Sequence, residues 1–162
     1  MGLTLQRRLR QSRFQGTHHE AILNLMVVAA HLRSIFDRVC AEHDITDAQY
    51  NVLRILRGAH PDGYPRGEIA QRMMDRAPDV TRLIDRLELR GLVERERSGS
   101  DRRLSITRIT PQGLALLERL DPGIRAVDDE LGRRLSEDEA RELSRICERI
   151  YDSEPTDLTP SG

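Results

Sequence analysis

Val80-Thr81-Arg82-Leu83-Ile84-Asp85-Arg86-Leu87-Glu88-Leu89-Arg90-Gly91-Leu92-Val93-Glu94-Arg95 sets Val80, Leu83, Ile84 and Leu87 at i, i+3, i+4 and i+7. That spacing predicts a helix with one buried stripe. At about 100° per residue the opposite face is centred on Arg82, with Thr81, Asp85 and Arg86 near it. Pro78 and Asp79 open the helix, since a first-turn proline lacks an N–H that would have no partner there and an acid favours the positive end of the macrodipole. Gly91 closes it, and a strand begins at Leu92.

Upstream, Glu68-Ile69-Ala70-Gln71-Arg72-Met73-Met74 reads as a short helix followed by a turn. Downstream, residues 92–97 and 103–109 are strand-length runs separated by Ser98-Gly99-Ser100-Asp101-Arg102, too long for a tight two-residue turn. The hairpin therefore ends in a projecting loop that carries arginine. Short helix, turn, amphipathic helix with an Arg/Thr outer face and Arg-tipped hairpin together describe a winged helix-turn-helix. Such a unit places its second helix in the DNA major groove and its wing beside it.

At these residues the chain resembles the MarR family of bacterial transcription regulators. The matching pieces are Gln49-Tyr50-Asn51-Val52-Leu53, Glu68-Ile69-Ala70, residues 80–88, Gly91-Leu92-Val93-Glu94-Arg95, Asp101 with Arg103, and Thr110-Pro111-Gln112-Gly113, in that order over roughly residues 20–150. The resemblance implies a homodimer on double-stranded DNA, with Asp101 orienting Arg103 for insertion into the minor groove. A narrow minor groove concentrates negative potential, and a braced guanidinium loses less freedom on entry, so the physics agrees. Arg102 is a second candidate at the same tip.

Composition bounds the remainder. The 162 residues are enough for one domain with a real core; charged residues make up 33% and aromatics 3%, which suits a helical protein with solvated faces. The net charge of −1 does not by itself suggest a nucleic-acid partner. Between Arg66 and Arg108 eleven Arg stand against eight acids, a local excess of three. Every basic residue is Arg, a usage that fits a GC-rich genome as well as it fits base reading.

Working outward, residues 1–16 hold Arg7, Arg8, Arg10 and Arg13 and no acid, a basic arm predicted to fray or to embrace a partner. No apolar run follows that could act as a signal-peptide core or membrane helix, so a cytoplasmic location is expected. Thr17-His18-His19-Glu20 reads as a capping box opening a helix with Ile22, Leu25, Met26, Ala29, Leu32, Phe36, Val39 and Cys40 in its stripe. Thr46-Asp47-Ala48-Gln49 opens a second helix that Gly58 closes, and Tyr64-Pro65 can add an edge strand to the wing. Thr110-Pro111 starts another helix, which Pro122-Gly123 must kink or break. Ser136-Glu137-Asp138-Glu139 caps the last helix, bearing Ala140, Leu143, Ile146, Cys147 and Ile150.

The predicted fold is mainly α with a small β-hairpin wing (α+β): a winged helix-turn-helix over 46–110, dimerisation helices over 17–45 and 111–151, and a disordered tail over 152–162. A monomer of this kind would leave the terminal stripes half uncovered, which predicts a two-fold dimer.

The DNA-contacting set is then Pro78, Asp79, Thr81, Arg82, Arg86, Asp101, Arg102 and Arg103. Arg82 is placed for a base edge, Thr81 and Asp79 for bases or the nearby backbone, and Arg86 for phosphate. The competing reading of this helix is a solvated face laced by Arg82–Asp79 and Arg82–Asp85 pairs. Ala77 stands where a capping Ser, Thr or Asp is expected, so one capping bond is either missing or supplied by Asp75 or Asp79.

Family members often release DNA on binding a small, frequently phenolic, anion between the dimer helices and the winged unit. His31 and Tyr50 are the candidates for lining such a pocket, and the Trp of the urate-responsive branch is missing. Cys40, with Cys147, raises a thiol-based oxidant sensor as an alternative, although both lie on apolar stripes where Cys serves as a small hydrophobe. Cys40 with His43, and His18 and His19 upstream, form no HExxH or CxxC pattern, so no metal site is expected. No phosphate loop, nucleophile elbow or paired carboxylates suggest catalysis, and no motif requires a cofactor. A winged helix serving as a protein-interaction module is the other alternative.

Overall fold

The structure is a computed structural model that describes residues 2–11, 13–75, 79–97 and 105–152. In chain order its elements are α1 (Leu3–Leu9), α2 (Thr17–Ala41), α3 (Asp47–Gly58), β1 (Tyr64–Pro65), α4 (Arg66–Arg72), α5 (Val80–Leu89), β2 (Val93–Arg97), β3 (Ser105–Ile109), α6 (Pro111–Gly132) and α7 (Glu137–Tyr151). Packing divides the chain into two units, Met1–Ile124 and Arg125–Gly162. Of the expected features, Ala77, Pro78, Asp101, Arg102, Arg103 and the tail after Asp152 lie outside the described residues.

The first unit is built around α3. Thr46 Oγ1 accepts the Gln49 N–H and the Gln49 side chain accepts the Thr46 N–H, so the expected capping box is formed. From that start Val52, Leu53 and Leu56 project into a core completed by Ile69 of α4, Ile84 and Leu87 of α5, Val93 of β2, and Leu117 and Leu120 of α6. Each fully buried Leu or Ile contributes about 1.5–3 kcal/mol relative to exposure, which makes α3 the support on which α4 and α5 rest.

The sheet has the order β1-β3-β2, antiparallel throughout. Val93 pairs with Ile109 and Arg95 with Thr107; Tyr64 meets Thr107 from the other side, so Tyr64-Pro65 does form the expected edge strand. Gly91, at φ +67°, ends α5 in the left-handed region as its position predicted. Thr110 links that end to the next helix: its hydroxyl donates to the Gly91 carbonyl at 2.7 Å and accepts the Gly113 N–H at 3.1 Å. At Gly113 the helix passes so close that an added Cβ would stand 2.2 Å from the Leu92 carbonyl oxygen.

Three local expectations change. The basic arm is helical over α1, with Leu5 buried and Phe14 edge-on to His19 at 6.3 Å. Apolar anchors inside the basic run fold it back toward the start of α2. The Thr17–Glu20 capping box does not form: Gly16 occupies the cap position, and the Glu20 carboxylate instead accepts the Gly2 N–H at 2.6 Å. Pro122 does not break its helix, since α6 runs through it. The next residue, Gly123, packs so closely on α2 that an added Cβ would be 2.7 Å from Val39 Cγ1.

The stripe of α2 buries only Cys40 fully, while Ile22 and Met26 stand exposed. Helix α7 begins with the expected Ser136–Glu139 capping box, buries no residue, and leaves Leu143 and Ile146 exposed. Among the described residues no helix is long and apolar enough to cross a membrane.

Candidate nucleic-acid interface and an adjoining cavity

Helix α5 turns Val80, Ile84 and Leu87 into the core and leaves Thr81, Arg82 and Arg86 exposed, as its period predicted. Its cap is Asp79, which accepts the Arg82 N–H and so supplies the bond that Ala77 cannot. The same carboxylate stands 3.1 Å from Arg82 Nε. Arg82 is 79% exposed, so the pair restrains its guanidinium at the surface without burying it.

Asp85 does not pair with Arg82. It turns to Arg95 of β2, which also reaches Glu88 at 3.5 Å. Arg95 is three-quarters buried and therefore pins the base of the hairpin to α5. On the neighbouring strand Arg108 pairs with Glu96, which ties β3 to β2. Arg95 entered the sequence reading only within the family-matching piece Gly91–Arg95, and its role as a brace was not read there. Its only signal was an arginine in a strand that directly follows a helix with two acids on one side.

Where α2, α3 and the end of α4 converge lies a cavity of about 780 Å³, lined by Ala29, Leu32, Arg33 and Phe36 of α2, by Asp47, Ala48, Tyr50, Asn51 and Arg54 at α3, and by Met73, Met74 and Asp75 after α4. Burial pushes the Tyr50 hydroxyl above its ordinary pKa, so at neutral pH it is a phenol able to donate. Asn51 Oδ1 accepts from Arg54 at 3.1 Å. Arg33 spans to Asp75, Nη1 to Oδ2 at 3.1 Å and Nη2 to Oδ1 at 3.5 Å, and the carboxylate raises the guanidinium pKa further. Of the two effector candidates read from sequence, Tyr50 lines this space; His31 is exposed and does not.

Cys40 is fully buried, and burial first, with the charges of Asp47 and Asp37 adding to it, pushes its thiol up to about 11. A thiolate is thus scarce there at neutral pH. Cys147 is half-buried on α7. Among the described residues no group of three or more His, Cys, Asp or Glu could hold a metal ion.

The MarR family model matches residues 43–104, from the loop before α3 to the residue that precedes β3. A crystal structure of a MarR transcription factor from Planctomyces limnophilus is 38% identical and superposes with a TM-score of 0.66, over 84% of this chain and 98% of that one. This chain belongs to the MarR family. Transcriptional regulator HosA of Escherichia coli O157:H7 is 30% identical over 127 residues, 75% of this chain and 93% of that protein. The PcaV transcriptional regulator of Streptomyces coelicolor, crystallised with its natural ligand, is 26% identical with a TM-score of 0.70, over 88% of this chain and 99% of that one. The MarR fold thus extends well beyond the matched segment, and the relatives are transcription regulators.

Proposed function

We propose that this MarR-family chain is a cytoplasmic, homodimeric repressor that binds a pseudo-palindromic operator and lets it go when a small anion enters the cavity between α2, α3 and the end of α4. The observation that carries the DNA reading is the outward face of α5, where Arg82 stands free of the core on a helix capped by Asp79 and braced to β2 by Arg95. In this reading Arg82 meets a base edge, Thr81 and Asp79 meet bases or the adjoining backbone, and Arg86 meets phosphate. Pro78 belongs to the same DNA-contacting set at the helix start. Asp101, Arg102 and Arg103, which lie between β2 and β3 in the chain, take the minor groove. Two copies related by a two-fold axis would address successive major grooves about 10 base pairs apart.

Dimerisation is assigned to α2, α6 and α7, whose exposed Ile22, Met26, Leu131, Leu143 and Ile146 need a cover. The effector reading rests on the cavity, where apolar walls hold a phenol donor and two guanidinium groups. A bound carboxylate with an aromatic body matches that lining, and PcaV is a family precedent for a regulator with a natural ligand.

The test is selection of bound duplexes from a random pool by the purified chain at two salt concentrations, repeated with Arg103→Ala. A two-fold symmetric motif that weakens in the variant is the expected result. Failure to recover a motif, with residual binding lost at physiological salt, would leave only electrostatic contact and turn attention to a protein-binding role.

A further inference from the structure

The start of the chain carries positive charge that no described carboxylate answers. Over residues 1–36 five Arg stand against one acid, Glu20, although the whole chain carries −1. That carboxylate is taken by the Gly2 N–H at 2.6 Å. Arg7 and Arg8 on α1, Arg10 at its end and Arg13 after it are all exposed, and among the described residues no carboxylate pairs with any of the four. Exposed Arg on α7 are spent locally instead: Arg141 reaches Glu137 and Asp138, and Arg145 reaches Glu142.

These cations are also held in place. Leu5 is buried, and Arg7 lies about 200° around α1 from it, so the helix turns its leucine in and that guanidinium out. Phe14 is buried edge-on to His19, and the Gln15 N–H donates to His19 Nδ1 at 3.3 Å.

We infer that α1 and the turn after it form a fixed, sequence-blind contact for the phosphate backbone of duplex DNA, separate from the face of α5. The inference rests on the DNA reading above for its choice of polyanion. Duplex DNA presents one negative charge per about 1.7 Å, and guanidinium groups fork phosphate oxygens. Cations on an anchored helix lose less freedom on contact than cations on a loose tail. A membrane fits the arm less well, because α1 spans seven residues and its exposed Leu3 and Leu9 are too few to hold it in a lipid interface. Helix α1 docks on α2 at Glu20, whereas α2 joins the core that carries α5 at Cys40, twenty residues and about 30 Å further along. The arm therefore meets phosphates other than those beneath α5 of its own chain. They belong to DNA flanking the read site or to a second duplex.

The test is binding of the full chain to a long, motif-free duplex at several salt concentrations. Arg7→Gln, Arg8→Gln, Arg10→Gln and Arg13→Gln combined should lower the slope of log affinity against log salt by about three, and the four matching Arg→Lys changes should keep it. Both variants should unfold in urea with the parent chain, since all four side chains are exposed. Arg86→Ala should subtract its own unit equally with and without the Gln changes, the additive result of two separate faces. Energy transfer between two labelled duplexes that the Gln variant abolishes identifies a second duplex. A slope difference that appears only when one duplex extends past the selected motif identifies flanking DNA. An unchanged slope in the Gln variant overturns the inference. Should that variant keep the slope and lose binding to phosphatidylserine vesicles, the face belongs to a membrane; should it keep the slope and dissociate into monomers, the face belongs to a second copy. Because the duplex is motif-free, failure to select a motif leaves this result standing, and failure here leaves motif selection standing.

Discussion

Asp79 holds Arg82 twice: Oδ1 accepts its backbone N–H at 3.3 Å, and Oδ2 lies 3.1 Å from its Nε. One carboxylate therefore starts α5 and aims the side chain that dominates its outer face.

The two roles separate by substitution. Asp79→Asn keeps an acceptor for the Arg82 N–H and loses the charge, so unfolding by urea should stay near that of the parent chain while base preference at one operator position relaxes. Asp79→Ala removes the cap as well and should cost about 1 kcal/mol of stability. Equal stability of the two variants would show that the cap carries nothing.

Arg95 makes a different prediction, since it joins two elements. Its partners Asp85 and Glu88 sit on α5 and it sits on β2, so Arg95→Met should unlock the hairpin from the helix. Partly buried as it is, the pair should contribute about 1 kcal/mol to stability. DNA affinity should fall for all sequences alike, because the spacing between helix and wing is lost and no base contact is. A loss confined to one base position would contradict this.

Gly113 and Gly58 predict opposite signs. At Gly113 a methyl group would meet the Leu92 carbonyl oxygen at 2.2 Å, and backbone on both sides must move; Gly113→Ala should destabilise by about 1–3 kcal/mol. Gly58, the last residue of α3, has nothing within 4 Å of the added Cβ, so Gly58→Ala should stabilise by about 0.5–1 kcal/mol. Chemical denaturation of the two variants decides both.

How legible all this was in the sequence depended on range. The stripe of α5, its closing Gly91 and the Thr46–Gln49 box are patterns within a few residues, and they stand in the structure as read. Arg82 was found because it lies opposite that stripe. Of the two outcomes expected at Pro122, a kink or a break, the break does not occur, and the close approach of Gly123 to Val39 beside it joins positions far apart in the chain. Arg33 and Asp75 are 42 residues apart, with nothing local to link them, and the cavity they border arises only when α2, α3 and the end of α4 converge. His31 has the chemistry of a ligand-binding residue but lies about 100° around α2 from Leu32, away from the centre of the face that Ala29, Leu32 and Phe36 turn to that space.

Cys40 gives a pH dependence. Its folded pKa, about 11, is above the ordinary thiol value, so the unfolded chain gives up the proton first as pH rises. The unfolded state then binds fewer protons than the folded one, and stability must fall with pH between about 9 and 11. This thiol contributes its full share below that window and none above it. The melting temperature of the parent chain should drop faster over the window than that of Cys40→Ala, which starts lower because of the cavity it leaves. In the folded protein, alkylation of Cys40 at neutral pH should be far slower than that of Cys147, and a fast reaction at Cys40 would return the oxidant-sensing reading to the front.

Arg82 and Arg86 are one turn apart on the same exposed face, yet they should fail differently. Arg82 is near the helix start and held by Asp79, so its guanidinium can meet one base pair in a fixed pose; Arg82→Ala should cost about 1–3 kcal/mol on the preferred sequence and little on others. Arg86 lies further along, where a helix entering the groove by its N-terminal end has begun to leave it. Its charge should act on phosphate, whatever the sequence. Arg86→Ala should weaken every duplex by a similar factor and reduce the slope of log affinity against log salt by about one. Titrations of both variants against the selected motif and a scrambled duplex, each at several salt concentrations, separate the two roles. Equal, sequence-blind losses from both substitutions would remove Arg82 from base reading and leave the face of α5 a phosphate contact only.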